Sequence, residues 1–386
     1  MSEKGKMKDK STEWLADLPD EWQTIRAKYV LDVGNGCDPT TEEGDIPVYG
    51  SGGESFRTCK EYKEGPAVLL GRKGTIDRPN YIEGRYWNVD TAFDVRNPWA
   101  INLKFYYYVS TCFPFGYYTT KTTIPSMTQG DYLNMSLPFP SNAEQDAIVK
   151  HLDKFCDKVD RAIALKNKQL EQLATYKKSL ISECVCRGVP DSTSQDVVLK
   201  DSGIEWIGEI PEHWKIIRAK YVLNIGNGCN PMTEDGNTPV YGSGGESFKA
   251  CVEYKEGPAV LLGRKGTIDR PNYIEGHYWN VDTAFDVRKP WGINLKFYFY
   301  IANCFPFGYY TTKTTIPSMT QNDYLNMVIP YPSLAEQNSI VTYLDQQCKT
   351  IDNIKDNIAS EIAFLEQYKK STIWEYVTGK RRVPSS

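Results

Sequence analysis

WQTIRAKYVL at residues 22–31 returns as WKIIRAKYVL at residues 214–223, a shift of 192 positions. The register holds in both directions. Glu13-Trp14 matches Glu205-Trp206, Gly71-Arg72-Lys73-Gly74 matches Gly263-Arg264-Lys265-Gly266, and Tyr176-Lys177-Lys178-Ser179 matches Tyr368-Lys369-Lys370-Ser371. The repeat therefore runs from about Lys8 to the C-terminus. Units this long are whole domains, not the ~20 to 50-residue turns of a solenoid. Residues 22–145 and 214–337 agree at roughly four positions in five, a level that speaks of duplication before function. The differences are uneven. Glu61 to Gly84, Tyr86 to Arg96 and Cys112 to Gln129 are unchanged in the second copy, whereas Asp38 to Ile46 and everything after Gln145 have drifted. If the unchanged runs hold a ligand-reading surface, both copies read the same thing.

A chain of 386 residues, 40% hydrophobic and 13% aromatic, can bury more than one core, which agrees with two domains. Its longest apolar runs, such as Ala67 to Leu70, are only a few residues, and the first residues are charged and polar. Neither a membrane span nor a secretion signal is expected. Ten cysteines without a CxxC pair, several beside aromatic or apolar neighbours, read as reduced thiols in a cytoplasmic protein. The three histidines, His151, His213 and His277, stand at no ligand spacing from a cysteine pair, so neither metal nor other cofactor is expected. A net charge of −4 is awkward for a nucleic-acid reader, which needs local positive charge to neutralise phosphates.

From Tyr29 to Pro140, short apolar or aromatic runs (Pro66 to Leu70, Phe93 to Val95, Phe105 to Val109) are cut by Gly, Pro, Asn and Asp, which predicts strands and loops. The character then changes. Ser141 precedes Glu144 by three positions, so the hydroxyl caps a helix start while the carboxylate reaches back, and Ser333 with Glu336 repeats the signal. Beyond each cap apolar residues recur at spacings of three and four: Ile148, Leu152, Phe155, Val159, Ala162, Leu170, Leu173 and Tyr176, then Ile340, Leu344, Ile351, Ile354, Ile358, Ile362, Leu365 and Tyr368. Off the stripe the copies differ freely, as Arg161 against Asn353 and Lys168 against Ser360. A helix of about 40 residues is near 60 Å long, and one apolar stripe on it must be covered. The other copy's helix, antiparallel, is the expected partner, with a helix of another chain as the alternative. Two globular heads on such a rod would stand more than one ~34 Å turn of DNA apart.

Two segments could touch DNA. Gly71-Arg72-Lys73-Gly74-Thr75 places two cations in a glycine-bracketed turn after a buried strand, where backbone N–H groups and side chains can approach phosphates; a solvated surface turn is the plainer reading. Phe113 to Ser126 supplies aromatics, threonines and Lys121 suited to base edges, or else an edge strand. Catalytic patterns are weaker. Gly50-Ser51-Gly52-Gly53 and Gly34-Asn35-Gly36 lack the spacing of a phosphate loop and read as turns. Glu61-Tyr62-Lys63 has the Glu-x-Lys form of some metal-dependent nucleases without a suitably placed upstream Asp.

Asp201 to Trp214 with its counterpart Glu13 to Trp22, the Gly71 to Gly74 segment, and the Thr122 to Gln145 stretch together resemble a type I restriction-modification specificity subunit, over nearly the whole chain. The resemblance implies an α+β fold: two mixed β-rich target-recognition domains separated by two long antiparallel coiled-coil helices, pseudo-twofold. The domains are then residues 8–140 and 200–332, the spacer helices 141–186 and 333–378, with a linker at 187–199. It implies a non-catalytic subunit that binds a bipartite target in double-stranded DNA, recruits two adenine methyltransferase subunits and, in a full complex, restriction (motor-nuclease) subunits. Partner subunits would supply much of the nonspecific phosphate grip, leaving this chain local contacts and base reading, which softens the charge difficulty. The implied DNA-binding residues are Arg72, Lys73, Tyr117, Tyr118, Thr119, Thr120, Lys121, Thr122 and Thr123, with Arg264, Lys265, Tyr309, Tyr310, Thr311, Thr312, Lys313, Thr314 and Thr315. Family members typically carry two dissimilar recognition domains. Here they are nearly the same, so a symmetric, interrupted target is expected. The competing readings are a coiled-coil protein adapter and a tandem nuclease using Glu61 and Lys63.

Overall fold

A computed structural model describes residues 10–118, 124–190, 197–310 and 316–383. It divides into two compact units, residues 1–166 with 359–386 and residues 167–358. Each is taken by itself below.

In unit 1 the order is β1 (Gln23–Arg26), β2 (Gly34–Asn35), β3 (Ile46–Gly50), β4 (Gly53–Cys59), β5 (Lys63–Glu64), β6 (Ala67–Gly71), β7 (Asn80–Ile82), β8 (Arg85–Asn88), β9 (Ala92–Val95), α1 (Leu103–Ser110), α2 (Phe115–Tyr118), α3 (Gln129–Asn134) and β10 (Ser136–Phe139). One four-stranded antiparallel sheet has the order β2-β9-β6-β7, and a second has β4-β3-β8-β5 with β3 and β8 parallel. β1 and β10 form a separate antiparallel ribbon. β6 is the pivot. All five of its residues are buried, and because strand side chains alternate, Val68 and Leu70 join the main core with Phe93, Val95, Phe105 and Val109. Ala67 and Leu69 face the other way, onto Ile82 and Tyr86.

Unit 2 repeats this order at the same spacing, with the strand Ala259–Gly263 in the place of β6 and identical sheet orders. It adds a short hairpin of Leu199–Asp201 with Glu209–Pro211.

Two stretches differ from the sequence-based expectation. Phe105 to Val109 lies in helix α1, not a strand. The Asn102 side chain caps it by accepting from the N–H groups of Lys104 (2.9 Å) and Phe105 (3.1 Å), and aromatic density alone had favoured a strand. Gly34-Asn35 is a strand paired with Asp94 and Phe93, not a turn. A Cβ at Gly34 would stand 2.7 Å from the Asp94 carboxylate, so the glycine serves close approach.

The long helices span Asn142–Arg187 and Leu334–Val377. Each starts on the capping pair expected of it. Ser141 Oγ donates to Glu144 (2.8 Å), whose carboxylate also takes the Ser141 N–H (3.1 Å), and Ser333 and Glu336 do the same (2.7 and 3.0 Å). Within unit 1 the first helix meets the second antiparallel: His151 lies on Tyr376, Asp160 on Lys369, and Lys166 on Glu361. Within unit 2 Lys177 meets Asp352, and a groove of about 380 Å³ is lined by Leu173, Tyr176, Ile354 and Ile358. The stripe is buried best where it meets the sheets, at Ile148, Leu152, Ile340 and Leu344; Tyr176 and Tyr368 remain exposed.

Candidate nucleic-acid interface

The Gly71 to Thr75 loop is shaped by its glycines. A Cβ on Gly71 would come within 2.1 Å of the Thr75 carbonyl oxygen, and Gly74 has φ +84°, a left-handed conformation. Arg72 and Lys73 therefore sit at the crest of a tight reversal directly after the buried β6.

Three other segments pin that crest. The Arg72 N–H donates to the Thr91 carbonyl (2.8 Å), and its guanidinium donates to the Asp90 carbonyl (3.3 Å) while lying 5.9 Å from the Phe93 ring centre. The Met127 N–H donates to the Arg72 carbonyl (3.0 Å), the Gly74 N–H to the Pro125 carbonyl (2.9 Å), and Lys73 forms an antiparallel bridge with Ser126. The tip between β3 and β4 completes the cluster, with the Ser51 N–H donating to Thr91 Oγ1 (3.3 Å). From α3, the Tyr132 hydroxyl fixes the base of the loop by donating to the Gly71 carbonyl (2.8 Å). Among the described residues no carboxylate pairs with Arg72 or Lys73, so their charge is available to a phosphate or an acceptor base edge.

Unit 2 builds the same crest. Arg264 N–H to Thr283 is 2.7 Å, its guanidinium reaches the Asp282 carbonyl at 3.3 Å, Gly266 N–H to Pro317 is 2.9 Å, and Lys265 bridges Ser318.

Behind the crest lies a buried ionic cluster. Asp94 accepts from Lys63 (2.8 Å), Arg96 (2.8 Å) and the Tyr86 hydroxyl (3.1 Å), and Lys63 also donates to Asn88 (2.7 Å). Burial, with the Asp94 charge beside it, drives the Tyr86 phenol far above its ordinary range. Lys255, Asp286, Arg288, Tyr278 and Asn280 repeat the cluster. Glu61 is occupied elsewhere. Hydrogen bonds from Thr40 and Thr41 hold its carboxyl at about 2, and it caps their turn. Glu61 and Lys63 thus have separate structural partners, which removes the basis for a Glu-x-Lys nuclease centre.

A family model for the type I restriction modification DNA specificity domain matches residues 19–175 and 211–363. The chain belongs to that family. It is 28% identical over 302 residues to the type I restriction enzyme MjaVIII specificity subunit of Methanocaldococcus jannaschii, covering 69% of this chain and 66% of that relative. It therefore spans just under two thirds of that relative's length. It is 20% identical over 410 residues to the type I restriction enzyme EcoDI specificity subunit of Escherichia coli, covering 94% of this chain and 89% of that one. Among solved structures, a chain from work on assembly and conformational transition of the type I R-M system shares the fold, with a TM-score of 0.71, 16% identity, and coverage of 94% and 99%.

In this specificity-family chain the two segments singled out from sequence come together, since the Gly71 to Thr75 loop is bonded to Pro125, Ser126 and Met127. Thr119 to Thr123 and Thr311 to Thr315 lie outside the described residues. Tyr117-Tyr118 and Tyr309-Tyr310 close the short helices Phe115–Tyr118 and Phe307–Tyr310. Sequence reasoning missed Ser51, Asp90 and Thr91 as members of the cluster. Gly50 to Gly53 was readable as a turn, and it is one, but nothing in it says which loop it stands beside. All ten cysteines are free, six of them buried, and no helix among the described residues is long and apolar enough to cross a membrane.

Proposed function

We propose that this chain is the non-catalytic DNA-reading subunit of a type I restriction-modification complex. Each recognition domain reads one half of an interrupted duplex target. The observation that carries this is the duplicated crest: an arginine and a lysine without carboxylate partners among the described residues, clamped by the same residues in both units. Because the clamping residues are the same, the half-sites are the same, and the antiparallel helix pairing supports an inverted repeat. The chain positions two adenine methyltransferase subunits and, where present, restriction subunits, in the cytoplasm. Family membership supports the methyltransferase partnership, and the contacts between the two long helices within each unit support the antiparallel partner from this chain over a helix of another chain.

Duplex binding tests the reading. The purified chain with its methyltransferase subunit should bind a subset of genomic fragments saturably in the presence of excess competitor duplex. A stable complex that shows no fragment preference would leave the adapter.

A further inference from the structure

A second surface repeats its exposed aromatics and cations in both copies and has no part in the crest. Tyr29 and Trp99 are 61% and 62% exposed, and their counterparts Tyr221 and Trp291 are 62% and 54% exposed. These aromatics are fixed in place. The Trp99 indole N–H donates to the Tyr29 carbonyl (2.8 Å) and its backbone N–H to Val30 (3.1 Å); in unit 2 the bonds run from Trp291 to Tyr221 (2.6 Å) and Val222 (3.1 Å). The turn that presents each tryptophan holds a non-glycine residue in the left-handed region, Asn97 in one unit and Lys289 in the other, both at φ +48°. Such a conformation costs on the order of 1 kcal/mol and persists although the residue has changed. Lys28 lies 5.3 Å over the Tyr29 ring and Lys220 5.4 Å over Tyr221. Arg26 and Arg218 are exposed beside them, and none of these four cations has a carboxylate partner among the described residues.

We propose that Arg26, Lys28, Tyr29 and Trp99 form a protein-docking face, repeated by Arg218, Lys220, Tyr221 and Trp291, and that each face takes one copy of the methyltransferase subunit. The inference rests on the proposed function for the identity of that partner. The face selects a protein over DNA by its chemistry. With the indole N–H already bonded, what each tryptophan offers is an apolar ring face, and intact duplex DNA has no exposed base faces to stack on it. A pre-fixed aromatic beside an arginine is the composition of a protein hot spot, because little side-chain entropy remains to be lost on binding. The cations call for carboxylates at the rim of the partner's pocket. In unit 1 they border a groove of about 590 Å³ that Thr24 and Ser136 also line. Those two become Ile216 and Val328 in unit 2, so the floor tolerates change while the four proposed residues do not.

The test uses the full chain and the methyltransferase subunit, counted by native mass spectrometry. Wild type should carry two copies, Trp99→Ala or Trp291→Ala one, and the double variant none at concentrations tenfold above those that saturate wild type. Lys28→Glu with Lys220→Glu, which leaves the indole bonds in place, should weaken uptake at least tenfold if the alanine variants fold poorly. Duplex binding by the chain alone should not change. A doubly substituted chain that still takes two copies overturns the proposal, as does loss of duplex binding with both copies retained, which would turn the face toward DNA. If wild type takes up no methyltransferase at all, the proposed function fails and the docking face falls with it.

Discussion

Lys177 Nζ stands 2.7 Å from both carboxylate oxygens of Asp352, and the same contact is made a second time with the roles exchanged, by Lys369 and Asp160 at 2.7 Å. The lysine comes from the first long helix in unit 2 and from the second in unit 1. An exchanged pair is what an isologous contact between two copies of one helix requires, and it specifies antiparallel register. These pairs are partly exposed, so each is worth at most about 1 kcal/mol. Lys177→Asp should cost about 1 kcal/mol or more by placing two carboxylates together, and Lys177→Asp with Asp352→Lys should recover most of it in urea unfolding. A double variant no more stable than the single would mean the pair does not hold register.

The capping glutamates are completed differently in the two units. Glu144 accepts from Trp22 (3.2 Å) and from Arg382 (2.9 Å), which also binds Glu21 and lies 5.5 Å from the Trp22 ring centre. Glu336 accepts from Trp214 (2.9 Å) and His213 (2.7 Å), the residue at the position of Glu21. Arg382→Ala should therefore loosen unit 1 selectively by about 1 kcal/mol. Hydrogen exchange should rise around Trp22, with the matching amides around Trp214 as the internal control.

Burial pushes the Glu336 carboxyl up, but hydrogen bonds from His213, Ser333 and Trp214 outweigh it and bring it from 4.5 to about 2. A depressed carboxyl stabilises the fold above its unfolded value and loses that contribution as pH falls toward its folded one. Glu336→Gln, which keeps an acceptor in the capping box but removes the charge that strengthens the bonds from His213, Ser333 and Trp214, should cost about 1 kcal/mol near neutral pH. The difference from wild type should shrink between about pH 4.5 and 2. A gap independent of pH there would contradict this account of the site.

Asp94 is the anion of a buried cluster, and removing it strands Lys63. Asp94→Ala should cost about 3 kcal/mol or more, the range for breaking a buried ion pair from one side. Glu61→Ala, at an exposed turn, should cost far less. Equal effects in thermal unfolding would undo the distinction between the two carboxylates.

The duplication, the helix caps and the buried strand Ala67–Gly71 are all legible in sequence because each is a local signal. Ser141 and Glu144 are one turn apart, and a run of Ala, Val and Leu can only be interior. What escaped depends on distant residues. Nothing local says that Gly34 makes room for Asp94, that Lys63 is neutralised by Asp94, or that Ser51 and Thr91 pack beside Arg72. Even the drift between copies follows such contacts. Tyr331 donates to the Gly292 carbonyl (2.7 Å) where unit 1 has Phe139 and Ala100, and a Cβ at Gly292 would stand 2.7 Å from that hydroxyl.

On the proposed function, Lys73 and Lys265 would meet phosphates and Arg72 and Arg264 base edges, since each guanidinium is held by a carbonyl and an aromatic ring. Lys73→Ala with Lys265→Ala should weaken binding to all sequences and lower the salt slope by about 2. Arg72→Ala should cost about 1 to 3 kcal/mol on the preferred target and relax its sequence requirement. An unchanged preference in the arginine variant, across a randomised target library, would reassign that residue to the backbone.

The central claim is that two copies of one reader scan one target. Methylome sequencing of a host lacking its own modification, expressing this chain with its methyltransferase subunit, tests it most directly. The account predicts a single adenine-methylated motif, interrupted by a fixed spacer, whose second half is the inverted complement of the first. Two unrelated half-sites, or no new motif from a complex confirmed to be stable, would contradict it.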